Sequence, residues 1–251
     1  MSGRGAIRTD LPPAGSIRRS AALFLAFRME QSDPDRFYGL LASDSARQVS
    51  EYVELAGQTV LDVGGGPGYF GDAFRAHGAT YVAVDSDLGE IAARVVPGPD
   101  TVLGSALALP VRSDHIDVCF SSNVLEHVAE PETMAAEMVR VTRPGGTVLL
   151  SFTTWLSPWG GHETSPWHYL GGDRAAKRYL RRNGRPPKNL YGETLFPISA
   201  GRMLRWAKAR QDVDVIRALP RYHPSWARWL VAVPGLREVA VWNLLVVLRK
   251  R

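Results

Sequence analysis

A run of apolar residues that ends in an acid and passes directly into a glycine-rich turn lies between Thr59 and Gly71 (TVLDVGGGPGYFG). Its β-branched residues favour a strand that ends at Val63, and the bulky residues after the turn favour a helix that begins near Tyr69. A strand, a glycine turn and a helix in this order are typical of the first unit of a doubly wound α/β sheet with a nucleotide-type site. Glycine is expected there because the ligand approaches the backbone closely and the turn needs φ values that other residues resist.

The acid Asp62 stands just before the glycines Gly64, Gly65, Gly66 and Gly68. A dinucleotide site would place a negatively charged pyrophosphate at this turn, whereas a carboxylate there suits a cationic ligand. S-adenosylmethionine (SAM), which carries an ammonium and a sulfonium group, is such a ligand. The turn also matches the G-x-G-x-x-G pattern of NAD-binding folds, but no set of residues suited to hydride transfer is visible, so an oxidoreductase is disfavoured.

Three further segments support this interpretation, namely YVAVDSD at 81–87, DVCFSSNVLEHV at 117–128 and RPGGTVLL at 143–150. Together with the glycine turn, they resemble the motifs of class I SAM-dependent methyltransferases over residues 45–152. The resemblance implies an α/β fold with a doubly wound, mostly parallel Rossmann-like sheet of seven strands, the last of which runs antiparallel. It also implies a transferase that uses SAM and releases S-adenosyl-L-homocysteine.

Strand-like and helix-like stretches alternate along the chain, which indicates a parallel sheet with helical crossovers. A turn at 143–146 is predicted to separate the helix that starts at Pro131 from the next strand. The predicted strands are 59–63, 80–84, 101–103, 116–121, 147–152, 213–218 and 243–249, and the predicted helices are 69–77, 87–95 and 131–142.

Two parts are predicted, an N-terminal arm with a helical cap at 1–56 and the SAM-binding methyltransferase domain at 57–251. Residues 1–19, rich in Gly, Pro and Arg, are expected to form a mobile arm. The helical cap is expected to break at Asp33-Pro34. Residues 153–201 are too long for an ordinary connection after the fifth strand, and we interpret them as an inserted lid over the mouth of the site. This segment is called the insertion below.

The side chains predicted to bind the cofactor follow the carboxyl ends of successive strands, where ligands bind in doubly wound sheets. Asp85 ends the second strand 21 residues after Gly64, a spacing at which a carboxylate can accept both ribose hydroxyls, with Asp87 as the alternative. The resemblance implies that the glycines pass the methionine part of SAM and that Asp62 orders the turn and favours the ammonium group. The full predicted set is Tyr38, Asp62, Gly64, Gly65, Gly66, Gly68, Asp85, Ser86, Ser105, Ala106, Leu107 and Asn123.

Ser105 departs from the family pattern, which often has an acid there for the adenine amino group. A serine can accept a hydrogen bond without charge, and Ala106 and Leu107 can still meet the adenine ring. Asn123 follows the fourth strand, where the family's cofactor and substrate meet. Tyr38 belongs to a region that closes over the cofactor in many methyltransferases. For Ser105, Asn123 and Tyr38 a purely structural role is an equal alternative.

A hydroxyl acceptor needs a general base, and histidine is the side chain best suited to this near neutral pH. His162 and His168 are the predicted candidates, with Glu163 placed to orient one of them. His127, which follows Glu126, is a third candidate, for which a structural role is favoured. His162, His168 and Glu163 could also bind a divalent metal, but their spacing matches no established signature, so no metal ligand is assigned and metal binding stays a weaker alternative.

Trp155, Trp159 and Trp167 surround the histidines of the insertion and favour an acceptor with an apolar or sugar face. Trp226 and Trp229 indicate either an interfacial segment that meets lipid or a helix that packs its tryptophans on the core. The predicted reaction is O-methylation of a small molecule, a glycan or a lipid-linked acceptor. Methylation of nitrogen or carbon stays open.

The 251 residues carry a formal net charge of +5, and seven basic residues lie without an acid between Arg174 and Lys188. We interpret this run as a solvated helix face or part of the lid, with a nucleic-acid surface as the alternative. The aromatics nearby do not form the interleaved pattern of a single-strand binder, so nucleic acid is not the predicted partner. A degenerate SAM fold used as a binding module is a further alternative, disfavoured by the intact glycine turn and Asp85.

The single cysteine, Cys119, excludes a disulfide framework within the chain. No apolar run reaches the roughly 20 residues of a membrane helix. The apolar stretch Ser20 to Phe27 is short and lacks a cleavage pattern. The expected location is the cytoplasm, with peripheral contact at a membrane surface left open.

Overall fold

The computed structural model describes residues 11–29, 32–92 and 100–251. Seven strands form one sheet in the order β3-β2-β1-β4-β5-β7-β6. Neighbouring strands pair in parallel, except that β7 runs antiparallel to both β5 and β6. The strands are β1 Thr59–Val63, β2 Thr80–Asp85, β3 Thr101–Leu103, β4 Ile116–Ser122, β5 Thr142–Thr153, β6 Val213–Pro220 and β7 Asn243–Lys250. The predicted doubly wound sheet with an antiparallel last strand is confirmed.

Helices cover both faces of the sheet, which explains why its strands are apolar on both sides. Met134, Met138 and Met203 lie in one buried cluster, and Leu41 and Phe74 lie in the cluster on the other face. The α-helices are α1 Ile17–Phe27, α2 Pro34–Ser50, α3 Gly71–Ala76, α4 Leu88–Ala92, α5 Pro131–Val141, α6 Gly172–Asn183, α7 Ala200–Ala209 and α8 Leu236–Val239, and the 3₁₀ helices are Leu125–His127, His162–Thr164, Trp167–Leu170 and Ser225–Ala232.

The predicted break in the N-terminal helical region is present, and local chemistry explains it. Asp33 caps α2, because its Oδ1 accepts a hydrogen bond from the backbone N–H of Arg36 at 3.2 Å. Pro34 occupies the first turn, where its missing N–H costs nothing. The crossover helix α5 also has a proline, Pro131, in its first turn, although no side chain caps its N-terminus.

The described part of the segment 1–19 differs from the expected mobile arm. Helix α1 already begins at Ile17, and Arg19 is buried in it. The Arg19 guanidinium donates to both carboxylate oxygens of Asp44 at 2.7 and 2.5 Å, and to the carbonyl oxygen of Arg221 at 3.1 Å. A buried arginine needs such partners, and these lie in distant parts of the sequence, so composition alone misjudged this segment. Residues 1–10 lie outside the described residues.

Two boundaries also differ from prediction. Residues 143–146 are not a separate turn, because β5 starts at Thr142 directly after α5 and contains them. The pairing of β4 with β5 shifts register between Ile116 and Val118, and a β-bulge of this kind absorbs the glycines within the strand. The helix predicted over 87–95 is observed over Leu88–Ala92, and the residues beyond Ala92 in that prediction lie outside the described ones.

The insertion leaves the carboxyl end of β5 and returns beside the segment that follows β4. Phe196 donates its backbone N–H to the carbonyl oxygen of Glu126 at 2.8 Å, and Trp155 donates to that of Ile198 at 2.9 Å. These contacts hold the insertion at the sheet edge where the predicted site lies. Its action as a lid stays a prediction. Within the described ranges, no helix combines the length and apolar character needed to cross a membrane.

Candidate cofactor and acceptor site

The glycine turn after β1 adopts left-handed backbone conformations that favour glycine. Gly64, Gly66 and Gly68 have φ values of +77°, +49° and +77°. A Cβ atom on Gly64 would overlap the side chain of Val124 in the segment after β4. Around Gly68 there is open space, and a Cβ atom on Gly66 would have only the Asp85 carboxylate within reach, at 4.0 Å. The first glycine is therefore required for packing, while Gly66 and Gly68 leave a surface that a ligand can approach.

Asp85 at the end of β2 is held against this turn. Its Oδ2 accepts the backbone N–H of Gly66 at 2.9 Å, and its Oδ1 accepts that of Asp87 at 2.9 Å. Each carboxylate oxygen keeps a further lone pair, so both ribose hydroxyls of a nucleoside can still be bound. Asp87 instead accepts the N–H of Gly89 at the start of α4, at 2.7 Å. The geometry favours Asp85 over Asp87 as the ribose ligand, and Ser86 between them is exposed.

Asp62 lies buried beneath the turn rather than at its surface. Its Oδ2 accepts a hydrogen bond from the Tyr81 hydroxyl at 2.6 Å, and a Cβ atom on Gly65 would lie 3.1 Å from the same oxygen. Burial raises the pKa of Asp62 to about 7, while the Tyr81 hydrogen bond and the charge of Arg221 oppose this rise. The carboxyl group can therefore set the electrostatic potential of the site, but the backbone of the turn separates it from solvent.

The residues predicted for adenine form a tight local turn. The Ser105 hydroxyl accepts the backbone N–H of Leu107 at 3.1 Å, so its oxygen stabilises the turn. The N–H of Gly104 donates to the carbonyl oxygen of Asp85 at 2.9 Å, which fixes the turn beside β2. Ala106 and Leu107 are half-buried and pack against the core. This leaves the apolar edge of the turn, more than the serine hydroxyl, as the surface available to a ring.

Tyr38 of α2 reaches the glycine turn from the other side. Its ring stacks on that of Tyr69 with centroids 4.7 Å apart and planes 16° apart, and it meets Phe37 edge-on at 4.9 Å. Because Tyr69 directly follows Gly68, this stack places an aromatic wall from the N-terminal helices at the end of the turn. The same contacts fit a packing role, since Tyr38 also packs against the buried cluster on this face, so its predicted role near the cofactor stays a prediction.

Asn123 joins the ends of three strands. Its φ is +58°, and its backbone N–H donates to the carbonyl oxygen of Ser151 at 2.9 Å. The side-chain Nδ2 donates to the Tyr222 hydroxyl at 3.3 Å, while Oδ1 accepts from Nδ2 of Asn243 at 2.6 Å. Tyr222 and Asn243 had no sequence signal, because only the order of β4, β5, β7 and β6 brings them to Asn123.

A buried guanidinium lies beside this network and was also missed from sequence. Arg221 donates to the hydroxyls of Ser122 and Ser151 at 2.7 and 2.5 Å, and to that of Ser45 at 2.7 Å. All three partners are neutral hydroxyls. The charge of Arg221 also lowers the pKa of the buried Asp62, although burial outweighs this effect. Through its hydrogen bonds Arg221 joins β4, β5 and α2.

Comparison with known proteins agrees with this geometry. A domain family described as "Methyltransferase domain" matches residues 61–150, which run from β1 into β5. A solved SAM-dependent methyltransferase from Mesorhizobium loti shares the fold with a TM-score of 0.58 at 19% identity, covering 83% of this chain and 98% of that chain. A protein of Mycobacteroides abscessus described as an uncharacterized methyltransferase is 51% identical over 257 residues, covering 97% of this chain and 98% of that protein.

The chain belongs to the class I SAM-dependent methyltransferases. A second relative, from Mycobacterium marinum and also described as an uncharacterized methyltransferase, is 51% identical over 246 residues and covers 94% of this chain and 96% of that protein. The likeness therefore spans the whole methyltransferase, including the insertion and the C-terminal strands that lie outside the matched domain.

His168 serves the packing of the methyltransferase's insertion. It is 1% exposed, its Nε2 lies 3.1 Å from the carbonyl oxygen of Ser157, and its Nδ1 lies 3.3 Å from the Ser165 hydroxyl. A carbonyl oxygen only accepts, so Nε2 carries the hydrogen and Nδ1 is engaged by Ser165. Burial lowers the pKa of His168. Glu163 does not orient it, since the Glu163 carboxylate accepts from Nδ2 of Asn189 at 3.0 Å. Both ring nitrogens are thus occupied within the fold.

His127 and His162 come together from separate segments. The Nδ1 of His127 lies 2.7 Å from the carbonyl oxygen of Thr194, and its ring centroid lies 5.0 Å from that of His162. Burial, followed by the nearby His127, lowers the pKa of His162 to about 4, against a small rise caused by Glu126. Both histidines lie in or beside the segment after β4, next to the cofactor turn, where an acceptor-side role is geometrically possible.

The tryptophans divide into two groups. Trp159 packs against Phe24, Phe27 and Trp242, with centroid distances between 5.4 and 6.2 Å, and so fastens the insertion to α1. Trp226 is different, because it is 66% exposed on the 3₁₀ helix Ser225–Ala232. The alternative in which this helix packs its tryptophans on the core therefore does not apply to Trp226.

Proposed function

We propose that this methyltransferase transfers the methyl group of SAM to a hydroxyl oxygen of an amphipathic, lipid-linked acceptor that it meets at a membrane surface. The observation that carries the proposal is an exposed apolar surface next to the site. It is called the tryptophan surface and consists of Trp226, Trp229, Leu236 and Val239 together with Ile17 and Leu25 of α1.

The first step of the argument is the cofactor. The open backbone at Gly66 and Gly68 supports binding of the methionine part of SAM, and the oriented carboxylate of Asp85 supports binding of the ribose. The buried Asp62 beneath the turn favours a cationic group above it. SAM supplies an electrophilic methyl group at its sulfonium, and the chain's own contribution is to align the acceptor and exclude water.

The second step is the tryptophan surface itself. Trp226 and Trp229 are 66% and 53% exposed, and indole rings are favoured at the interface of lipid and water. The 3₁₀ helix Ser225–Ala232 contacts the residues just before α1, because Ser225 donates its backbone N–H to the carbonyl oxygen of Gly15 at 2.7 Å. Large exposed apolar side chains on neighbouring segments are typical of an interaction site.

The third step connects this surface with the site. Tyr222, whose hydroxyl accepts from Asn123, lies three residues before Ser225 and the tryptophan-bearing helix. The segment that carries the tryptophans thus starts beside Asn123, at the carboxyl edge of the sheet. A molecule held at the tryptophan surface lies along this segment. A lipid-linked acceptor can keep its apolar part outside and bring a polar head to the methyl donor.

An oxygen acceptor is supported by the polar cluster after β4. A hydroxyl must lose a proton during transfer, and this requires a group that can accept or stabilise it. Glu126, His127 and His162 supply such groups within one small region. We do not propose nucleic acid as the acceptor, because Arg178 of the basic helix α6 already lies over the Trp167 ring at 3.8 Å and no interleaved row of aromatics accompanies the basic run.

The test has two arms. Calorimetric titration with SAM and with S-adenosyl-L-homocysteine is expected to show binding in the unaltered protein. Flotation with phosphatidylcholine vesicles containing phosphatidylglycerol is expected to show vesicle binding that falls at least tenfold in the double variant Trp226→Ser/Trp229→Ser. Leu103→Ser is the control, because Leu103 is 54% exposed on the edge strand β3, at the opposite edge of the sheet from β6.

The arms separate the possible failures. Absence of SAM binding in the folded protein contradicts the cofactor assignment. SAM binding without vesicle binding contradicts the lipid-linked acceptor and favours a soluble small molecule or glycan. Binding to RNA with a steep salt dependence would instead favour the nucleic-acid alternative.

A further inference from the structure

Three potential metal ligands from two separate segments converge beside the cofactor turn. Glu126 and His127 lie in the 3₁₀ helix Leu125–His127 after β4, and His162 lies in the 3₁₀ helix His162–Thr164 of the insertion. One ligand atom from each residue lies within 4.8 Å of the other two. Sequence spacing cannot predict such a cluster, because the backbone path between His127 and His162 passes through the whole of β5.

Two atoms of this cluster are buried polar atoms without a partner among the described residues. The Glu126 carboxylate accepts the backbone N–H of Thr153 at 3.0 Å through Oε1, while no described residue bonds to its buried Oε2. The Nε2 of His162 is likewise buried, and no described residue forms a hydrogen bond with it. Glu126 is only 1% exposed. Unpaired buried polar atoms are rare in native proteins and destabilise them, and a cation between these two atoms would satisfy both.

The third ligand is oriented in the way that metal-binding histidines are. The Nδ1 of His127 lies 2.7 Å from the carbonyl oxygen of Thr194, which can only accept a hydrogen bond. The hydrogen is therefore on Nδ1, and Nε2 carries the lone pair that a metal needs. A hydrogen bond from the second ring nitrogen to a backbone carbonyl is the usual support of a histidine ligand.

The backbone holds His162 in place at an energetic cost. His162 has a φ of +47°, a left-handed conformation that non-glycine residues seldom adopt. The preceding Gly161 packs so tightly on the buried His168 that a Cβ atom there would lie 2.5 Å from the ring. Strain of this kind persists where the surrounding structure enforces it and is frequent at functional sites. The packing of Gly161 on His168 thus fixes the backbone from which the His162 side chain extends.

We propose that Glu126, His127 and His162 bind one divalent cation of the zinc class. Two imidazoles and one carboxylate are a donor set that suits zinc and similar borderline metals, and three protein ligands leave coordination positions open. The sequence left a metal site open only for His162, His168 and Glu163, whereas the structure joins His162 to Glu126 and His127 instead.

The location of the cluster gives the open coordination positions of the metal a role in methyl transfer. Val124, two residues before Glu126, is the side chain that packs against Gly64 of the cofactor turn. An oxygen bound to the metal would therefore lie on the acceptor side of the site, and a metal-bound hydroxyl releases its proton to solvent more readily than a free one. This use rests on the proposed function, whereas metal binding itself does not.

Cobalt(II) is the probe, because its visible absorption reports the coordination geometry directly. The full chain, freed of any affinity tag and treated with a chelator, is titrated with cobalt(II) chloride and then with zinc chloride. We expect one equivalent of cobalt to produce intense visible bands that zinc abolishes. We expect Glu126→Gln and His162→Asn to weaken binding at least 100-fold. The matched control is Glu163→Gln, whose side chain lies next in sequence but is exposed and bonded to Asn189, and it should bind as the unaltered protein does.

Acetohydroxamate, a bidentate oxygen ligand, then tests the open positions and should shift the cobalt bands. Circular dichroism establishes that each variant is folded. The proposal is overturned if the unaltered protein gives no cobalt bands, or if folded His162→Asn binds cobalt as tightly as the unaltered protein. Cobalt bands that acetohydroxamate leaves unchanged overturn the acceptor-side use. None of these measurements involves methyl transfer, so a failure here is distinct from a failure of the proposed function.

Discussion

Replacing Asp62 by asparagine should stabilise this methyltransferase above neutral pH while weakening its cofactor site. The Asp62 carboxyl is buried, and burial raises its pKa from the ordinary 3.8 to about 7. The folded state therefore prefers the protonated carboxyl. Its stabilising effect is fully present below pH 3.8 and is lost as the pH rises through about 7. By linkage, this difference corresponds to about 4 kcal/mol of unfolding free energy above pH 7.

Asparagine has no proton to lose, so the variant Asp62→Asn escapes this pH-dependent loss. Its amide oxygen can still accept the hydroxyl of Tyr81, and a weaker bond there costs about 1 kcal/mol. We expect the unfolding free energy of the variant to exceed that of the unaltered protein by about 3 kcal/mol at pH 8 and to lie about 1 kcal/mol below it near pH 4, where Asp62 is protonated in the folded state. For a domain of this size the difference at pH 8 is a rise in Tm of roughly 6–12 °C.

Thermal unfolding between pH 4 and pH 9 measures this difference, with Asp72→Asn as the control because Asp72 is an exposed carboxyl on α3. Calorimetry of SAM binding in buffers of different ionisation heat adds a second readout. Binding of the cationic ligand at pH 7 should favour the ionised form of Asp62, so that a fraction of a proton is released for each SAM bound. The variant should bind SAM more weakly and release no proton. An unchanged pH dependence of Tm in Asp62→Asn, or a lower Tm at pH 8, would refute the reasoning.

Three further outcomes are expected. Asp85→Ala should weaken SAM binding about 100-fold, because a carboxylate that accepts two ribose hydroxyls contributes about 3 kcal/mol. An unchanged Kd for SAM in calorimetry would contradict this expectation. Gly64→Ala should be less stable than Gly68→Ala in chemical denaturation, although both have a φ of +77°, because only the first would overlap a neighbouring side chain; equal losses would contradict the packing argument. Arg19→Ala should lower the free energy of unfolding by about 3–5 kcal/mol through the loss of a buried ion-pair partner, whereas the exposed Arg18→Ala should change it by less than about 0.5 kcal/mol; similar values would show that α1 is not part of the core.

Local sequence was sufficient wherever the physical cause is local. The glycine turn was predictable because positive φ values and close packing are needed within five consecutive residues. Asp85 was predictable because the length of one strand–helix–strand unit fixes where the second strand ends. The break at Asp33-Pro34 follows from capping of Arg36 by Asp33, three residues away, and the start of the crossover helix at Pro131 follows from the preference of proline for the first turn.

Composition failed where distant partners change the meaning of a residue. The segment around Arg19 has the composition of a loose arm, yet Asp44 and the Arg221 carbonyl oxygen bury it. His168 has the appearance of a candidate base in a polar loop, yet Ser157 and Ser165 occupy both of its ring nitrogens. The energy of each group depends on partners that sequence order does not reveal.

The sequence by itself determined the fold class, the glycine turn and the position of Asp85 at the end of β2, since hydrophobic periodicity and backbone conformation act over short distances. Only the tertiary structure decided which side chains surround Asn123 and His127. The strand order β4-β5-β7-β6 brings Asn123 to Tyr222 and Asn243. The return of the insertion to the segment after β4 brings His162 to His127. These contacts arise from long-range strand pairing and from burial of charge, and both depend on which distant segments the folded chain places side by side.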